Sequence, residues 1–150
     1  MAIGVGDQAP DFELPSSQGG TVRLQDLRGQ PVVVFFYPRD DTPGCTTEAC
    51  HFRDNLTHFQ TLGATVLGVS GDDLESHERF AAKHNLPFPL LADTGNGVRK
   101  RFGVPSAMFL PGRVTYVIDR EGVVRLVFNA LLNARAHVQQ ARTCLEQLAR

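Results

Sequence analysis

From Pro31 to Phe59 the chain reads PVVVFFYPRDDTPGCTTEACHFRDNLTHF. Its first seven residues, PVVVFFY, form an unbroken β-branched and aromatic run, the mark of a strand buried on both faces. Pro38 ends that run. Further along, Ala49, Phe52, Leu56 and Phe59 recur at spacings of three, four and three, which is one face of a helix. The spacing predicts a helix over 46–62, with Gly63 as its C-terminal cap. A doubly buried strand that passes through a short polar loop into an amphipathic helix opens a β-α-β unit, and this sets the class as α/β. The loop sits at the carboxyl end of the strand, where ligand sites form in open α/β sheets. Two of the chain's three cysteines, Cys45 and Cys50, stand just beyond it.

The pattern extends on both sides. Before the strand, DFELPSSQGGTVRLQDLRG (11–29) reads as a short hairpin turned at PSSQGG. After the helix, ATVLGVS (64–70) is a second buried strand. DDLESHERFAAKHN (72–85) opens with a capping aspartate and an acidic first turn, so it is a helix. FPLLAD (88–93) is a short apolar segment, and GNGVRKRFG (95–103) a small helix. RVTYVID (113–119) and VVRLVFN (123–129) flank REG and form a β-hairpin. A last helix begins near Asn133, with Val138, Ala141, Leu145 and Leu148 on one face. The order predicts a central mixed β-sheet covered by helices on both faces, with an N-terminal β-hairpin. There is no internal repeat and no linker, so a single domain over 1–150 is expected.

Bulk properties exclude several classes of function. A net charge of −1 leaves no electrostatic footprint for nucleic acid or an anionic membrane. The longest apolar run, VVVFFY, is far short of the ~18 residues a membrane span requires. The opening MAIGVGDQAPDF has neither the basic flank nor the apolar run of a secretory leader. A cytoplasmic, reducing setting is therefore expected. In that setting paired cysteines are more often catalytic or metal-binding than structural.

Cys45 falls in the first helical turn, where unpaired backbone N–H groups favour an anion. The helix end usually supplies only ~0.3–1 kcal/mol toward a thiolate, so a further donor or positive charge is required. The Thr42 hydroxyl is available in the loop, and an arginine from elsewhere in the chain would add charge. Five residues along an α-helix advance about 7.5 Å and turn about 140°, which puts the Cys45 and Cys50 Cα atoms roughly 8.7 Å apart. A disulfide needs them within about 7 Å. In an intact helix the two thiols cannot bond; with the first turns unwound they can. The spacing suits a two-state device with one thiolate form and one disulfide form.

The stretch FFYPRDDTPGCTTEACHFRD (35–54) resembles the active-site segment of peroxiredoxins of the Q type, the bacterioferritin-comigratory-protein type. Pro38, Thr42 and Cys45 match that family's P-x-x-x-T-x-x-C pattern, and Cys50 matches the resolving cysteine of many Q-type members. GRVTYVIDREG (112–122) is similar to the later strand that brings an arginine into the site, here Arg113. GVGDQAPDFELPSSQGGTVRLQDLRG (4–29) and FGVPS (102–106) complete a likeness covering nearly the whole chain. The resemblance implies a thioredoxin-like fold and a thiol-dependent peroxidase acting on hydrogen peroxide and organic hydroperoxides. It implies Cys45 as the attacking thiolate and Cys50 as its disulfide partner. Thr42, Arg113 and the Cys45 backbone N–H would be donors to the reacting oxygens, with Pro38 as a cover. Thioredoxin or a similar dithiol would be the reductant, with no cofactor or metal; an intramolecular cysteine pair needs no partner subunit, so a monomer is expected.

Other readings stand beside this one. Glu48 either orients Arg113 or serves helix electrostatics. Cys144 reads as core packing at a helix edge, and His51 and His58, seven apart, as solvent-facing. A metal module built on Cys45, Cys50 and His51 lacks a complete ligand set. A thioredoxin-type disulfide oxidoreductase lacks C-x-x-C.

Overall fold

The computed structural model describes residues 2–107 and 110–149. In chain order the strands and helices are β1 (Glu13–Pro15), β2 (Thr21–Arg23), β3 (Val32–Phe36), α1 (Pro43–Asp54), α2 (Leu56–Thr61), β4 (Thr65–Ser70), α3 (Leu74–His84), β5 (Leu90–Ala92), α4 (Gly97–Phe102), β6 (Ser106–Ala107), β7 (Leu110–Pro111), β8 (Val114–Ile118), β9 (Val124–Asn129) and α5 (Ala134–Leu148). The main sheet runs β5-β4-β3-β8-β9. β3, β4 and β5 are parallel to one another, while β8 and β9 are antiparallel additions. β1 and β2 form the expected N-terminal hairpin. No helix among the described residues is long and apolar enough to cross a membrane.

Every residue of β3 is buried, as its apolar run predicts. The pleat sends alternate side chains to opposite faces. Val33, Phe35 and Tyr37 join a core with Ala49, Phe52, Phe59, Phe80, Val138, Ala141 and Leu145. Val32, Val34 and Phe36 join another with Phe12, Val98, Phe102, Val114 and Tyr116. In β4, Gly68 is required by close approach, because a Cβ there would lie 2.8 Å from both Phe35 and Leu90.

The helix predicted over 46–62 differs in two ways. It begins at Pro43, since proline at the first helical position gives up an N–H that would be unpaired anyway. It also breaks at Asn55, whose side-chain Nδ2 donates to His51 O at 2.8 Å and so competes with the backbone ladder. Arg142 of α5 holds Asn55 Oδ1 at 2.8 Å. The break separates His51 from His58, and both are half-buried rather than solvent-facing. Asp73 caps α3 as expected, accepting from Ser76 N at 2.8 Å. Asn133 caps α5. Val138, Ala141 and Leu145 of α5 are buried, but Leu148 stays 37% exposed. It rims a shallow pocket with Pro31, Leu62 and Leu145 without filling it.

Candidate active site

β3 delivers the chain to Tyr37 and Pro38, and a tight loop returns it to α1. Asp41, in the left-handed region at φ 58°, makes the sharp turn. The loop is tied down from α3. Asp40 accepts from the Tyr37 hydroxyl at 2.6 Å and from Ser76 Oγ at 2.8 Å, and its Oδ2 lies 2.7 Å from His77 Nδ1. Asp72 Oδ2 accepts from the Asp40 backbone N–H and from Ser70 Oγ. Among the described residues, Asp40, Asp72 and His77 are the one group with metal-ligand spacing. Their atoms are committed to one another and to the loop. Cys45, Cys50 and His51 form no such group.

Cys45 occupies the first turn of α1 and is 1% exposed. The antiparallel register pairs Phe36 with Val114, so Arg113 arrives where β3 ends. Its guanidinium makes three bonds. Nη2 donates to Cys45 Sγ at 3.4 Å, Nη1 to Glu48 Oε1 at 2.6 Å, and Nε to Leu131 O at 2.9 Å. Arg113 is 4% exposed, and Glu48 makes the orienting contact. Gly44 permits this approach, since a Cβ there would sit 3.0 Å from Arg113 Nη2. Pro38, Thr42, Gly44, Cys45, Arg113, Leu131 and Leu132 line a cavity of about 420 Å³. The Thr42 hydroxyl donates to Arg39 O at 2.9 Å, so it closes the loop and does not bond the thiol.

Cys50 is half-buried and opens on a different pocket, with Thr46, Thr47, His51, Asp54 and Arg135. None of the three cysteines is in a disulfide. Cys144 packs half-buried against the core, as expected, and burial pushes its thiol up, away from ready ionisation.

Behind Arg113 lies a buried polar cluster that motif reading did not reach. His137 of α5 donates from Nε2 to Ala130 O at 2.7 Å. Its Nδ1 is 2.8 Å from Thr115 Oγ1 and 3.6 Å from Glu48 Oε2. Burial pushes the Glu48 carboxyl up to about 8 against the pull of Arg113. Burial brings His137 down to about 4, opposed by the Ala130 bond and aided by Arg113. With its affinity for the proton raised by burial, Glu48 should release its proton at higher pH in the folded state than in the unfolded chain. Stability should then fall as pH rises, by up to roughly 1.4 kcal/mol per pH unit. From 6.5 down toward 4, His137 acts oppositely, because the unfolded chain binds its proton first. Urea unfolding across pH 6.5–8 checks this: Glu48→Gln should flatten the decline, and an equal slope in both proteins would contradict it.

A thiol is thus held at a helix start, beneath an arginine and at the floor of an apolar-walled cavity, at the end of the central sheet. The sequence profile of the AhpC/TSA family matches residues 5–127. A peroxiredoxin Q of Sedum lineare, named as chloroplastic, is 50% identical over 145 residues, spanning 95% of this chain and 78% of its own. The crystal structure of peroxidoxin BcpB from Mycobacterium tuberculosis superimposes with a TM-score of 0.90 at 38% identity, covering 97% of this chain and 98% of that one. A bacterioferritin comigratory protein of Xanthomonas campestris, described for its alkyl peroxide reduction activity, gives 0.84 at 31% identity, covering 93% and 92%. The chain belongs to the AhpC/TSA family and, within it, to the Q-type peroxiredoxins. It is a thiol-dependent peroxidase. The expectation of a cytoplasmic setting is overturned, because the Q-type relatives from Sedum lineare, Populus jackii, Suaeda salsa and Arabidopsis thaliana are all named as chloroplastic.

Proposed function

We propose that Cys45 is the peroxide-reacting thiol. The observation that carries this is the Arg113 Nη2 contact at 3.4 Å to a sulfur at the cavity floor. The thiolate attacks one peroxide oxygen, the O–O bond breaks, and Cys45 becomes a sulfenic acid. The second oxygen leaves with the bonding pair and takes a proton, giving water or an alcohol. Charge grows on the separating oxygens, where Arg113 and the Cys45 backbone N–H are preset donors. Thr42 acts by fixing the loop, and Pro38 by covering the thiolate. Pro38, Leu131, Leu132 and Ala134 give the cavity an apolar wall suited to organic hydroperoxides. The Xanthomonas campestris relative's described activity on alkyl peroxides supports the same substrate class.

Cys50 then attacks the sulfenic sulfur, forming a Cys45–Cys50 disulfide and releasing water. The two thiols open on different pockets, so α1 must unwind from its start for them to meet. Thr46 and Thr47 are weak helix formers, which keeps that cost modest, while buried Phe52 anchors the remainder. Thioredoxin, or a similar dithiol protein, reduces the disulfide. With both cysteines in one chain no partner subunit is needed, and the protein acts as a monomer with residues 1–150 as one domain.

Peptide mapping and hydrogen exchange after one equivalent of peroxide test this sequence of steps. A Cys45–Cys50 peptide should appear. Protection should fall from Cys45 to about Phe52 and hold in β3. Cys50→Ser should react once and fail to recycle with thioredoxin. A Cys45–Cys144 disulfide, or equal protection in both redox states, would show the resolving step to be wrong.

A further inference from the structure

A second arginine stands behind the site. Arg99 of α4 is 5% exposed. Its Nη2 donates to Tyr37 O at 2.7 Å, and its Nη1 to Gly112 O at 2.6 Å. Tyr37 immediately precedes Pro38, and Gly112 immediately precedes Arg113. The β3–β8 ladder ends one step earlier, at the Phe36–Val114 pair. Arg99 therefore bridges the two chains where they part to form the site. The close approach requires glycine at 112, since a Cβ there would collide with Pro105 O.

The charge of Arg99 is also incompletely answered. Among the described residues no carboxylate forms an ion pair with its guanidinium, and Nε is buried without a partner. The neighbouring Asp93 spends both carboxylate oxygens on the backbone N–H groups of Val98 and Arg99. Phe36 presents its ring face 5.6 Å from the guanidinium carbon. Burial lowers the proton affinity of Arg99, and Asp93 and then Cys45 are the foremost charges opposing that shift. A buried cation without a carboxylate pair is costly.

We propose that Arg99 is a positioning residue of the peroxidase site, fixing the gap between the Pro38 turn and Arg113. The inference rests on the reading of Cys45 as the reacting thiol. Arg99→Met removes the clamp at similar length. Arg99→Lys keeps the charge, but one ammonium lacks the planar fork that spans two carbonyls.

The test is stopped-flow peroxide attack on the full chain across pH, with the thiolate fraction followed by ultraviolet absorbance and stability by urea. Arg99→Met should slow attack at pH 7 by roughly tenfold or more and move the rate–pH curve to higher pH. Arg99→Lys should recover only part of the rate and remain several-fold slow. Arg101→Met, remote on the exposed side where Arg101 donates to Asp11 O, should match wild type. Wild-type rate and curve in both Arg99 variants, with only the urea midpoint lowered, overturn the proposal. If Arg99→Met does not fold, an unchanged rate constant in Arg99→Lys overturns the clamp by itself. Continued peroxide consumption by Cys45→Ser would instead overturn the reading beneath it, so the two failures are distinct.

Discussion

Cys45→Ser is expected to leave no peroxide consumption above the protein-free rate, while Cys144→Ser retains wild-type turnover. The two replacements swap the same atoms, so the contrast isolates position. At Cys45 a serine hydroxyl fits the same space and accepts the same Arg113 bond, so the fold should persist. The chemistry does not persist. A hydroxyl stays protonated at neutral pH and has no neighbouring general base to activate it. Among the described residues only Arg113 makes a hydrogen bond to Sγ, and an arginine cannot take a proton. Cys144 faces the core on α5, away from the cavity, and its thiol is held in the neutral form by burial. Peroxide loss followed with each purified variant decides it. Turnover in Cys45→Ser would remove this residue from the centre of the reaction.

The next largest effect is expected at Arg113. Truncation to alanine should slow peroxide attack by roughly a hundredfold, which corresponds to about 3 kcal/mol in the barrier. Two contributions add in the same direction. The thiolate loses its one charged donor, and the separating oxygens lose a donor preset at the cavity floor. Glu48 is also left buried without its partner, so a lower urea midpoint should accompany the slower rate. Arg113→Lys should recover only part of the rate. The guanidinium serves Leu131 O, Glu48 and Cys45 at once from a planar fork, and a single ammonium cannot span those three directions. The second-order rate constant for the first peroxide event, measured separately from recycling, checks this. An unchanged value in Arg113→Ala would reduce the contact at Sγ to packing.

Much of the architecture is legible in short-range patterns. The β3 run names a doubly buried strand because no residue in it tolerates water on either face. The Asp73 cap and the acidic turn after it set the start of α3 from neighbouring residues alone. Cysteine spacing bears on the site in the same way, because helix geometry is fixed by the backbone and the distance between the two thiols follows from counting. Where competition among hydrogen bonds decides, counting fails. A continuous apolar face from Ala49 to Phe59 reads as one helix, yet it breaks at Asn55, whose side chain shares the His51 carbonyl with its own backbone N–H and is held by Arg142. Thr42 is in register with Cys45 along the chain, but its hydroxyl finds the nearer Arg39 carbonyl.

The sequence by itself determined the α/β class, the order of elements, the placement of Cys45 at a helix start and the need for an outside positive charge. It also bounded the distance that separates Cys45 from Cys50. Only the tertiary structure decided which charge answers that need. Arg113 reaches the thiol because β8 runs antiparallel to β3 and begins where β3 ends, a register set by sheet packing across 68 residues of chain. Arg99 sits in a basic helix, VRKRF, where Arg101 looks the same in sequence. One faces the sheet and clamps two carbonyls, and the other lies exposed against Asp11. His137 and Glu48 likewise meet only because α5 lies beside α1, and their shifted ionisation comes from being buried together. Local order is governed by backbone periodicity and caps, which neighbouring residues specify. Burial, and with it the meaning of a charge, belongs to the elements brought against it by the fold.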